Sequence, residues 1–133
     1  MIFNKKDKFD WSLLFLGFVF LSAATYRVFN YQIAINEITN LNLPVFFVPF
    51  TIILEYVLAL SFIFKKKLKQ TILLAILFLA VAIILAFITH FQTLIANISE
   101  LFTFRTNPTD VFLHMIYLGI LIFLYYEYEN KTN

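Results

Sequence analysis

The sequence predicts an all-α, integral membrane four-helix bundle with both termini on the cytoplasmic side. Three observations lead there. The chain has 133 residues, 62% of them hydrophobic and 14% charged, whereas soluble domains are about half apolar and a quarter charged. Four apolar runs, 11–29, 44–64, 71–91 and 108–126, are each long enough to cross ~30 Å of hydrocarbon at about 1.5 Å per residue. None of the four alternates strictly between apolar and polar residues, which favours helices over a barrel. A single transmembrane domain over 1–133 follows.

The first segment is a cationic tail with Lys5, Lys6 and Lys8. With the apolar run behind it and Ser22-Ala23-Ala24 it has the outline of a signal peptide, and the membrane-span reading is preferred. Span 11–29 sets Gly17, Phe20, Ala24 and Arg27 on one helical stripe. In the connection, Tyr31, Ala34, Ile38 and Leu41 fall at helical spacing with Gln32, Asn36, Glu37 and Asn40 between them, predicting a short interfacial helix over 31–41. Span 44–64 aligns Val48, Thr51, Glu55, Ala59 and Phe62. A short lysine-rich connection, Lys65 to Lys67 and Lys69, leads to span 71–91, whose small-residue stripe, Ala75, Ala82 and Ala86, ends at His90. Asn107, Pro108 and Asp110 suit the start of span 108–126 as cap, first-turn proline and dipole-facing acid. Asp110, His114, Tyr117, Leu121 and Tyr125 share its inward face.

Alternating spans put eight of the ten basic residues on one side. The positive-inside rule makes that side cytoplasmic, and the chain is expected to be a multi-pass protein of a prokaryotic cytoplasmic membrane. A net charge of +2 does not suggest nucleic acid, so the expected partners are the lipid bilayer and other membrane protein subunits. The absence of cysteine removes disulfides, thiol catalysis and cysteine-bound metals. With Gly17 and Gly119 as its two glycines the chain has no phosphate loop, and no serine–base or metal-ligand spacing marks it as an enzyme by itself.

Glu55 lies near the middle of its apolar run. A carboxylate at the centre of a spanning helix costs about 2.5–3.5 kcal/mol, so it is expected to turn inward toward a cation. Arg27, near the outer end of the preceding span, is the candidate partner. His90 and His114 also fall in the outer half, leaving the inner half without a polar path for ions.

The pattern Gly17-x-x-Phe20-x-x-x-Ala24-x-x-Arg27, followed by Leu43-Pro44 and Glu55 eleven residues beyond the proline, resembles the DoxX-like family of small four-helix membrane proteins. The resemblance covers nearly the whole chain. Ala24 stands where that family usually has glycine and Arg27 where it usually has lysine, and Tyr56 to Ala59 replace glycines that often follow the glutamate. The resemblance implies association with membrane redox systems, including a thiosulfate-oxidising, quinone-reducing complex and terminal oxidases.

The expected function is therefore that of a nonenzymatic subunit or accessory factor of a membrane redox complex, with a quinone as the ligand class for the outer half of the bundle. Candidate ligand-binding residues are Arg27, Glu55, His114, Asp110, Tyr117, Phe20 and Tyr26. Against this stand simpler roles: an ion pair that sets helix register, aromatic residues that face lipid and an Asp110 that only starts its helix. Haem held by His90 and His114 is the disfavoured cofactor, since a histidine near a helix end more often serves as a hydrogen-bonding group. The alternative function is a structural or assembly subunit with no small-molecule ligand.

Overall fold

The computed structural model describes residues 5–96 and 111–132. Arg105 and the Asn107-Pro108-Asp110 helix start lie outside that range. Among the described residues there are five helices and no strand: α1 Lys5–Phe29, α2 Tyr31–Asn40, α3 Phe47–Ile63, α4 Leu68–Ala96 and α5 Val111–Thr132.

The boundaries differ from the apolar runs for local reasons. α1 begins inside the lysine tail and α5 runs on through polar residues to Thr132, because helical hydrogen bonding does not stop where hydropathy falls. α3 starts at Phe47 rather than Pro44, after a turn in which the Phe47 and Val48 amides donate to the Pro44 and Val45 carbonyls. By length and composition α1 and α4 can cross a membrane, over Asp7–Phe29 and Leu68–Gln92, and α3 is an apolar helix of 17 residues.

α1 and α3 form one closely packed pair, α4 and α5 another, and α3–α4 and α1–α5 contacts join them into a ring. Contacts from Asp10 to Lys65 and from Arg27 to Glu55 show that α1 and α3 run antiparallel. The largest core cluster is built from all four long helices, with Leu13, Leu16, Leu58, Ile72 and Leu121 fully buried. Gly17 allows the α1–α3 approach: a Cβ there would sit 2.7 Å from Ile63 Cγ1 and 3.3 Å from the Ala59 carbonyl oxygen.

The outer faces are apolar as well. Phe18, Ile53, Leu60, Ile84, Ile122 and Phe123 are all at least half exposed or close to it, more than a soluble monomer usually shows.

α2 does not merely lie on the surface. Ala34 is fully buried against Val48 and Ile52 of α3, with Ile35, Ile38 and Tyr56 around them. Leu41 and Leu43 then pack on α4 beside Ala86. The chain enters α2 through Asn30, whose side chain donates to the Tyr26 carbonyl while its own carbonyl accepts from Ile33 and Ala34. It leaves through Asn42 at φ 58°, with Asn42 and Leu43 amides donating back to Thr39 and Ile38. This is a Schellman C-cap. α3 ends in the same way at Lys65, φ 54°, with Lys65 and Lys66 amides donating to Phe62 and Ser61.

Candidate functional site

Arg27 occupies the last turn of α1, where a cation is favoured by the negative end of the helix dipole. Its side chain reaches α3: Nη1 donates to Glu55 Oε1 at 2.7 Å and to Oε2 at 2.9 Å. Nε donates to Glu37 Oε2 of α2 at 2.9 Å. One guanidinium thus ties together three helices. Glu55 is the driest member, its side chain 5% exposed against 17% for Arg27 and 23% for Glu37.

The charges do not sum to zero, since two carboxylates share one cation. The more accessible Glu37 keeps contact with the surroundings, so the excess negative charge need not sit on the buried partner. Beside the triad, the Thr25 and Tyr56 hydroxyls meet at 3.2 Å, adding a second polar contact between α1 and α3.

Glu37 was not anticipated from the sequence as a site residue. It stands among the polar positions of the 31–41 segment, where the simple expectation is a solvent-facing carboxylate. The turn at Asn30 and the burial of Ala34 against α3 bring it back toward Arg27. The signal in the sequence was a second acid ten residues after Arg27 in an otherwise sparsely charged stretch.

The other candidate ligand residues are dispersed. Phe20 is 4% exposed and belongs to the core, stacked on Phe62 with centroids 6.0 Å apart and tilted against Phe78. Tyr26 is 53% exposed. Tyr117 packs against the main core and lies 6.5 Å from the Phe15 ring. His114 is partly buried on α5, and Asp110 lies outside the described residues. Surface grooves among the described residues run along α1 and α5, between the start of α1 and the end of α3, and between α3 and α4. Arg27, Glu55, Phe20 and Tyr26 line none of these.

His90 sits at a kink in α4, with φ −122° and ψ 20°. Its Nε2 is 3.1 Å from the carbonyl oxygen of Asn40, the last residue of α2. A carbonyl can only accept, so this contact fixes the proton on Nε2. His90 thereby satisfies one of the carbonyls that a helix leaves open at its C-terminus, and that nitrogen is engaged by backbone rather than directed to a haem iron. Among the described residues, no group of three or more His, Asp or Glu side chains gathers in metal-binding arrangement.

Comparison with protein-family models, curated proteins and solved structures finds no match to this chain. The resemblance to DoxX-like proteins accordingly rests on the spacing of Gly17, Phe20, Ala24, Arg27, Leu43-Pro44 and Glu55 and on the order of the four apolar segments.

Proposed function

We propose that this chain is a multi-pass membrane protein that acts as a nonenzymatic structural or assembly subunit of a larger membrane complex. In this reading α1, α3, α4 and α5 all span the bilayer, both termini and the 65–70 connection face the cytoplasm, and α2 packs at the opposite interface. The two long apolar helices support it, as do the apolar outer faces of α3 and α5. At 17 residues α3 lies at the lower limit for a span, and the charged triad lies midway along it, where Glu37 of α2 reaches Arg27.

The observation that carries the functional part is how fully the triad is used inside the chain. Both Glu55 oxygens accept from Arg27, whose Nε is taken by Glu37. Such a network fixes the register of α1, α2 and α3 in an apolar setting. It resembles a built scaffold more than an open ligand box.

A narrower form follows the resemblance: an accessory factor of a redox complex, with a quinone bound beside the triad. The meeting of Arg27 with Glu55, the charged positions that carry the resemblance, is what supports it. Purification in mild detergent separates the two forms. A stoichiometric membrane partner, with no quinone extracted from the isolated chain, is the outcome expected of an assembly subunit; near-stoichiometric quinone in the isolated chain points to the redox form. A chain that purifies alone and empty, from membranes in which it is active in no complex, contradicts both.

A further inference from the structure

The ring of long helices closes unevenly. α1 packs closely on α3 and α4 on α5, whereas α1 and α5 meet only sparsely. An open groove of about 600 Å³ follows this last junction, walled by Trp11 and Phe15 on one side and Ile116, Ile120 and Phe123 on the other. Gly119 also lines it, and a Cβ built there meets no atom within 4 Å. A second depression of about 500 Å³ shares Trp11, Ser12 and Phe123 with the first and adds Lys8. The groove is therefore apolar along its length and cationic at its mouth.

Lys8 is the charge that the mouth presents. Among the described residues Lys65 pairs with Asp10 and Lys69 with Glu129, while Lys8 makes no ion pair. Lys131, on the α5 side, lies 4.0 Å from the centroid of the Phe9 ring of α1. Asp7 on α1 and Glu127 on α5 are the acids in these stretches of sequence, and neither lines the groove, whose described wall carries Lys8 as its one charged side chain.

The groove is open, and its apolar wall runs for about 10 Å from Ile116 to Phe123, a surface on which a hydrocarbon chain can lie.

We propose that the α1–α5 groove binds an anionic phospholipid, its phosphate at Lys8 and the Trp11 indole N–H and one acyl chain laid along Phe15, Gly119 and Ile120. The proposal rests on the membrane reading above. It adds to that reading a defined lipid site on one face of the bundle.

Trp11 is the single tryptophan of the chain and lines the groove, so its fluorescence reports the occupant directly. The full chain is reconstituted in phosphatidylcholine vesicles containing either brominated phosphatidylglycerol or brominated phosphatidylcholine at equal mole fraction. The expected result is a roughly fivefold preference for the anionic lipid at Trp11, the amount that one basic side chain supplies near a charged membrane surface. Lys8→Gln should bring the preference close to parity. Gly119→Leu, which fills open space without touching the packed core, should reduce quenching by either lipid while leaving helix content unchanged. Equal quenching by the two lipids in the unaltered chain overturns the site, as does an anionic preference that survives both substitutions. Loss of the preference as the protein-to-lipid ratio is raised overturns it in favour of a second copy. A Trp11 that neither brominated lipid quenches overturns the membrane reading itself.

Discussion

Arg27 holds two carboxylates because a guanidinium carries donors along more than one edge. Nη1 serves Glu55 and Nε serves Glu37, a division that a lysine ammonium, a compact point charge, does not orient in the same way. Arg27→Leu leaves Glu55 buried and uncompensated, so it should cost about 3–5 kcal/mol. The Arg27→Leu/Glu55→Leu double variant should cost less than the single one. Unfolding in mixed micelles measures both, and equal losses would contradict direct pairing. Glu37→Gln removes only the more exposed acid and should change stability by less than ~1 kcal/mol. The Arg27–Glu55 contact was legible in the sequence because a lone acid in a long apolar run demands a cation and few were offered. Glu37 was not, since its inward turn depends on the fold of the chain at Asn30. Phe20 and Tyr26 share helix α1 yet have opposite fates, one in the core and one exposed, a distinction that residue type alone does not make.

At the level of helices, close approach and termination are set by a few backbone positions. Gly17→Val places atoms where Ile63 and the Ala59 carbonyl already stand and should destabilise the α1–α3 pair by about 1–3 kcal/mol, read by the same unfolding assay. Gly119→Ala meets open space and should be neutral or stabilise by up to ~1 kcal/mol, because it removes glycine's backbone freedom within a helix. With two glycines in the chain, the left-handed C-cap positions fall to Asn42 and Lys65. Asparagine tolerates that conformation, whereas lysine carries a Cβ penalty of roughly 1–2 kcal/mol. Lys65→Gly should therefore raise stability even though it gives up an exposed contact with Asp10. Where the start of α4 meets the end of α5, the contact with the Lys69 ammonium holds the Glu129 carboxyl below its ordinary range. A lowered folded value means that this contact stabilises the fold above the ordinary carboxylate range and is lost as pH falls through the folded value. Amide protection near the end of α5, taken relative to the intrinsic exchange rate at each pH, should consequently fall in acid, and Glu129→Gln should flatten that response. Helical stripes foretold most of the inward faces, but not that α2 would pack by Ala34 onto α3 or that His90 would cap it.

For the whole molecule, the lysines and the apolar surface make one prediction about topology. Because the native chain has no cysteine, single substitutions Asn4→Cys, Lys66→Cys and Asn133→Cys give an unambiguous reading with a membrane-impermeant maleimide. All three should be protected in intact cells and labelled in inverted vesicles; labelling of one of them from outside excludes four spans with both termini cytoplasmic. Composition and charge spacing by themselves determined that the chain is helical, unusually apolar and polarised in its basic residues, since transfer energies and charge asymmetry depend on the amount and order of residue types. Tertiary structure alone decided that α1 pairs with α3, that Glu37 completes the charged triad, and that a groove remains between α1 and α5. Those outcomes depend on which surfaces approach within a few ångströms, and one-dimensional periodicity gives the face of a helix without naming the neighbour that covers it.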